Sequence, residues 1–71
     1  MFFYDSPAGL FTIQLEDGRY TLRLNGEILG RYHAPHAAAD DVYTQHTGES
    51  TWDNIPLPID TPTGIDEWDS T

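Results

Sequence analysis

Apolar and polar positions alternate along the first half of the chain. Phe11, Ile13 and Leu15 recur at every second residue, as do Tyr20, Leu22 and Leu24. That period predicts strands with one buried face each. Asp17-Gly18 and Asn25-Gly26 separate the runs, and such dipeptides tolerate positive φ at both central positions of a tight hairpin turn. The pattern predicts strands over Leu10–Leu15, Arg19–Leu24 and Glu27–His33 in an antiparallel meander. A two-residue turn at Asp17-Gly18 sets Leu15 opposite Tyr20, Ile13 opposite Leu22 and Phe11 opposite Leu24, all on one inner face. A second such turn at Asn25-Gly26 sets Leu24 opposite Glu27 and Leu22 opposite Leu29. Leu29 then faces inward with Arg31 beyond it, while Ile28 and Tyr32 face outward beside Arg19, Thr21 and Arg23. A bulge in this hairpin would reverse those faces and bury Ile28 and Tyr32.

The period then changes. Pro35 suits the first position of a helix and Gly48 a stop, which predicts a helix over Pro35–Thr47. Pro35, Ala38, Ala39, Val42, Tyr43 and His46 fall on one arc of about 140°. His36, Asp40, Asp41, Thr44 and Gln45 fill the other side. The small Ala38 and Ala39 allow this helix to lie close across the inner sheet face. The remaining residues mix turn formers, Pro56, Pro58, Pro62 and Gly64, with Trp52, Ile55, Leu57, Ile59, Ile65 and Trp68. Burying each large apolar side chain is worth about 1.5–3 kcal/mol, so this tail is expected to dock. The outer sheet face is its expected seat, over Ile28 and Tyr32, with Asp53, Asp60, Asp66, Glu67 and Asp69 approaching Arg19, Arg23 and Arg31. The expected fold is α+β in a single domain over residues 1–71. Residues 9–48 form a three-stranded antiparallel meander with one helix packed on one face. An extended, acidic, Trp- and Pro-containing C-terminal tail, residues 49–71, docks on the other.

Charge narrows the partners. Three Arg, no Lys and twelve Asp plus Glu leave a net charge of −9, which repels phosphate backbones and anionic lipid. The charge suits a solvated surface first, and then a basic protein partner or imitation of nucleic acid; a protein is the expected partner, with no membrane, and direct nucleic-acid binding is disfavoured. Hydrophobic residues at 38% and aromatics at 13% are too many for a plain disordered acidic tail. The lack of Cys excludes disulfides, thiolate metal sites and Cys nucleophiles. No apolar run approaches the roughly 18 residues of a membrane span, and no basic-apolar leader opens the chain. A soluble, cytoplasmic protein is expected.

The residues that carry chemistry are sparse. His36 and Asp40 lie four apart on one helix side, with His33 just before them and His46 on the apolar arc. A closed zinc site takes four convergent ligands, so the pattern reads as an exposed pair and no metal or cofactor is expected. Asp40 and Asp41 point about 100° apart on a helix and do not flank one bond. Ser6, Ser50 and Ser70 lack a nucleophile-elbow context, and the glycines form no phosphate-cradling loop. No enzymatic site is expected. Trp52 and Trp68 read either as interface anchors or as staples of a small core. The candidate interaction surface is Asp40, Asp41, Glu49 and Asp53, with Trp52 and Trp68 as its anchors.

The stretch Gly18-Arg19-Tyr20, Leu29-Gly30-Arg31-Tyr32 and Ala37-Ala38-Ala39-Asp40-Asp41-Val42-Tyr43 resembles the three-stranded-sheet-plus-helix DNA-binding domain of plant ethylene-response factors. Phage integrase arm-binding domains share that architecture. The resemblance covers 26 residues. It implies an outer sheet face that enters the major groove through Arg19, Arg23, Ile28 and Tyr32. The run Tyr32-His33, Pro35 and Ala38-Ala39-Asp40-Asp41-Val42 also resembles a group of short uncharacterised acidic bacterial proteins. The expected function is a non-enzymatic protein-interaction module. Two alternatives are an acidic nucleic-acid mimic that inhibits a DNA- or RNA-binding protein, and DNA binding through the outer sheet face.

Overall fold

The structure is a computed structural model that describes residues 1–56 and 61–71. In chain order its elements are β1 (Phe2–Ser6), β2 (Gly9–Glu16), β3 (Arg19–Leu24), β4 (Glu27–Tyr32), α1 (Pro35–Tyr43), α2 (Ser50–Asp53), a 3-10 turn (Ile65–Glu67) and β5 (Asp69–Ser70). The strands form one antiparallel sheet in the order β4-β3-β2-β1-β5. The fold is α+β with a helix on one sheet face. The expected three-stranded meander is its β2-β3-β4 half.

Asp17 and Gly18 take φ of 52° and 81°, and Asn25 and Gly26 take 52° and 88°, as tight hairpin turns require. The β2–β3 register pairs Leu15 with Tyr20, Ile13 with Leu22 and Phe11 with Leu24, as the alternation predicts. β1 arises from the aromatic run Phe2-Phe3-Tyr4 and pairs Phe2 with Ile13 and Tyr4 with Phe11. Its turn is closed by the Ser6 hydroxyl, which donates to the Gly9 carbonyl at 2.6 Å. Gly9 has φ +133°, and a Cβ there would run into the Asn25 amide. Asn25 Oδ1 accepts the Leu10 N–H at 2.9 Å, and the Asn25 N–H donates to the Leu10 carbonyl at 2.9 Å. One hairpin turn is thus latched to the other.

The β3–β4 hairpin corrects the expected faces. It starts as predicted, with Leu24 opposite Glu27 and Arg23 opposite Ile28, and then shifts so that Leu22 meets Gly30 and Tyr20 meets Tyr32. One extra residue inverts every face beyond it. Arg31 therefore points outward, opposite Thr21, and Tyr32 points inward. Ile28 precedes the shift and stays on the outer face, 47% exposed. The Tyr32 ring passes over Gly30, where an added Cβ would lie 3.2 Å from it. Its hydroxyl donates to Asp41 on α1 at 2.8 Å.

The helix starts at Pro35 as predicted and ends at Tyr43 rather than Thr47. The His46 N–H donates to the Asp41 carbonyl and the Gln45 N–H to the Val42 carbonyl. This is a Schellman ending with Gln45 in the left-handed region at φ 59°. The Gln45 amide holds that conformation by donating to the carbonyls of Trp52 and Ile55 at 2.9 and 3.0 Å. Tyr43 and His46, expected on the buried arc, are exposed: Tyr43 is the last helical residue, and His46 lies beyond the helix end.

The tail correction is the larger one. Trp52 and Trp68 join Phe11, Ile13, Leu22, Leu24, Ala38, Ala39 and Val42 in a single core. That core lies on the helix side, so the two indoles of the tail dock there and not on the outer face. The Trp52 ring meets Phe11 edge-on at 5.0 Å, and Trp68 lies 5.6 Å from Tyr4. The Trp52 indole N–H donates to the Val42 carbonyl at 2.9 Å, which satisfies the one polar atom its burial would strand. The positions expected for Leu57, Pro58, Ile59 and Asp60 lie outside the described residues.

Candidate interaction surfaces

The acidic residues singled out by sequence lie on the helix side, but most of their carboxylates are already bonded. Asp53 accepts the Thr47 N–H at 3.0 Å, the Thr47 hydroxyl at 2.7 Å and the Gly48 N–H at 2.9 Å. It ties the loop after α1 to α2. Glu49 caps α2 by accepting the Thr51 N–H at 3.0 Å. Asp41 accepts from Tyr32. Burial, then the Asp41 hydrogen bond, hold the Tyr32 phenol well above its ordinary range. The exposed Asp40 makes no side-chain hydrogen bond among the described residues. Glu67 accepts the Thr63 N–H and hydroxyl at 2.5 and 2.6 Å, which lowers its pKa. These bonds fix the carboxylates in place and leave Asp40, with the exposed Asp66 and Glu67, as the outermost charges on this side.

Trp52 is fully buried and Trp68 is 6% exposed. They are corrected from anchors of that surface to core staples. Close aromatic packing against Tyr4 and Phe11 leaves neither ring open to a partner.

The outer sheet face presents a different set. Residues opposite one another in register share a face. Arg19, Thr21 and Arg23 on β3, with Ile28 and Arg31 on β4, therefore lie together. Thr12, Gln14 and Glu16 on β2 and Phe3 and Asp5 on β1 complete that face, with Asp69 on β5. Tyr32 is absent from it, which corrects its place among the outer residues. Arg23 makes a two-pronged ion pair with Glu16, one arm of which is 3.0 Å long. The hydrogen bond from Arg23 lowers the Glu16 pKa and raises that of Arg23. The expected pairing of Arg23 with tail acids is thereby replaced by a partner on the next strand.

His33, His36 and His46 are all exposed. No group of three His, Asp or Glu placed to hold a metal occurs among the described residues. One open depression of about 290 Å³ is lined by Ala8, Leu24, Asn25, Glu27, Glu49 and Thr51; its two carboxylates include Glu49, already engaged as a helix cap. No described helix is long and apolar enough to cross a membrane. Sequence reasoning missed Phe2 and Tyr4, which pack against the core, Tyr4 against both indoles; the aromatic run followed by Ser6-Pro7-Ala8-Gly9 was the available signal. No family model, curated protein or solved structure matches the chain.

Proposed function

We propose that this protein is a non-enzymatic interaction module that engages a basic protein partner, in the cytoplasm, through its acidic helix side. Segregation of charge carries the reading. All three Arg lie on the outer sheet face, and no Lys or Arg follows Arg31 in the sequence. The helix side and its flanks hold Asp40, Asp41, Glu49, Asp53, Asp66 and Glu67. A surface of one sign steers a partner of the other and excludes like-charged ones. The carboxylates bonded to backbone N–H groups are held in fixed positions, which reduces the ordering cost of a complex. Arg23 is neutralised by Glu16, which weighs against groove entry by the outer face, since phosphate binding needs cations free to displace counterions.

The test is affinity capture from the native host with the wild type and with an Asp40→Lys/Asp66→Lys variant. Both sites are exposed, so the fold should survive. A basic protein retained by the wild type and lost with the variant supports the reading. Equal capture by both overturns it. Release of that partner by duplex DNA would identify the acidic side as a nucleic-acid mimic.

A further inference from the structure

The outer sheet face has no described element over it, and its charge is arranged laterally. Arg19, Arg23 and Arg31 occupy β3 and β4, at one side of the sheet. Asp5 and Asp69 occupy β1 and β5, at the other. Glu16, on the central strand β2, is paired with Arg23. Three Arg thus meet three carboxylates, and the face is neutral while the molecule carries −9. Leu10 and Ile28 are exposed here at 43% and 47%, with Phe3 half-buried beside them.

We infer that this face is a self-association surface, on which a second copy of the chain packs sheet against sheet about a two-fold axis running along β2. Two closed pairings of identical sheets keep their strands aligned. A two-fold axis across the strands sets β4 over β4, and so places arginines over arginines. An axis along the strands sets β4 and β3 of one copy over β5 and β1 of the other. The arginine half of each copy then covers the acidic half of its partner, and the aligned strands give the usual geometry of a sandwich. Such an interface is isologous and closes as a dimer. The centre is formed by Leu10, Thr12 and Gln14 of β2 against the same residues of the partner. The acidic helix sides point away from each other, so the neutral faces meet while the two negative surfaces stay apart. Strand spacing and rise over the five strands give roughly 430 Å² of surface per copy, the size of a weak, reversible contact. This inference stands independently of the basic partner proposed above.

Sedimentation equilibrium of the full chain over about 10–500 μM is the test, a range that brackets the micromolar affinity expected for so small an interface. The wild type should pass from monomer to dimer with concentration. Arg31→Glu and Asp69→Arg alter exposed rim positions and should each weaken the dimer by roughly tenfold or more, since each sets like charges against one another at both ends. An equimolar mixture of the two variants should recover wild-type affinity, because one heterodimer restores both opposite-charge contacts. Unfolded chains could not do so. A monomeric wild type throughout, a dimer indifferent to both substitutions, or a mixture no tighter than the single variants would each overturn the inference.

Discussion

Gly9 and Tyr32 show how single residues decide the geometry here. Gly9 combines φ of +133° with close approach of the Asn25 amide, and Asn25 in turn holds both backbone groups of Leu10. Gly9→Ala strains the backbone and displaces the latch between the two turns. It should cost about 2–4 kcal/mol, from the strain of that φ plus lost hydrogen bonds, read as a fall in urea midpoint at unchanged slope. Gly18→Ala, with open space around its Cβ position but φ of +81°, should cost less. Tyr32 makes a pH prediction. Its phenol is held neutral by burial and by the Asp41 carboxylate, so its folded pKa exceeds the unfolded one. The stability it confers is therefore complete below about pH 10, the unfolded value, and fades as pH rises through the higher folded value. Alkaline difference spectroscopy should show a Tyr component that ionises only with unfolding. That component should disappear in Tyr32→Phe, and its persistence there would reassign it.

At the scale of elements, the β2–β3 hairpin and the start of α1 were legible because local chemistry sets them: a Gly-containing turn dipeptide and a proline at the first helical position. What was hidden depends on distant partners. β1 does not alternate apolar with polar, since Phe3 and Tyr4 serve opposite faces. β5 is two residues long and has no pattern of its own. The end of α1 rests on Gln45 bonding carbonyls seven and ten residues away, and not on Gly48. Asp40 and Asp41 lie on α1 as the pattern predicts, whereas Asp53, expected beside the outer-face arginines, bonds Thr47 and Gly48 instead; that three of the four acidic candidates accept internal hydrogen bonds required the fold. The buried stripe of α1 gives a direct test. Ala38 is fully buried and Asp40 exposed on the same helix. Ala38→Glu forces an unpaired charge against the sheet and should cost several kcal/mol, about the penalty of a buried lone charge. Asp40→Ala should melt close to the wild type. Equal losses would mean that the buried face of α1 is wrongly placed.

For the whole molecule, the tail decides whether there is a fold at all. Seventy-one residues support a net stability of only about 4–11 kcal/mol, because a chain this short buries a small share of its surface. Trp52 and Trp68 are the largest side chains of the core and touch Phe11 and Tyr4 from the helix side. Removing a buried Trp costs about 3–5 kcal/mol, so losing both equals most of what the molecule has. Truncation after Gly48 also deletes β5, the outer neighbour of β1, and strips Gln45 and Thr47 of Trp52, Ile55 and Asp53. Residues 1–48 should therefore lack dispersed amide resonances and a cooperative melt. Trp52→Ala in the full chain should fall between the two states, with a lowered transition. Because Trp52 and Trp68 of the tail belong to the core, its deletion should not create a folded protein with new affinity for anions. A well-dispersed spectrum of residues 1–48 that gains DNA binding would show instead that the tail is a displaceable guard and that the core is complete without it.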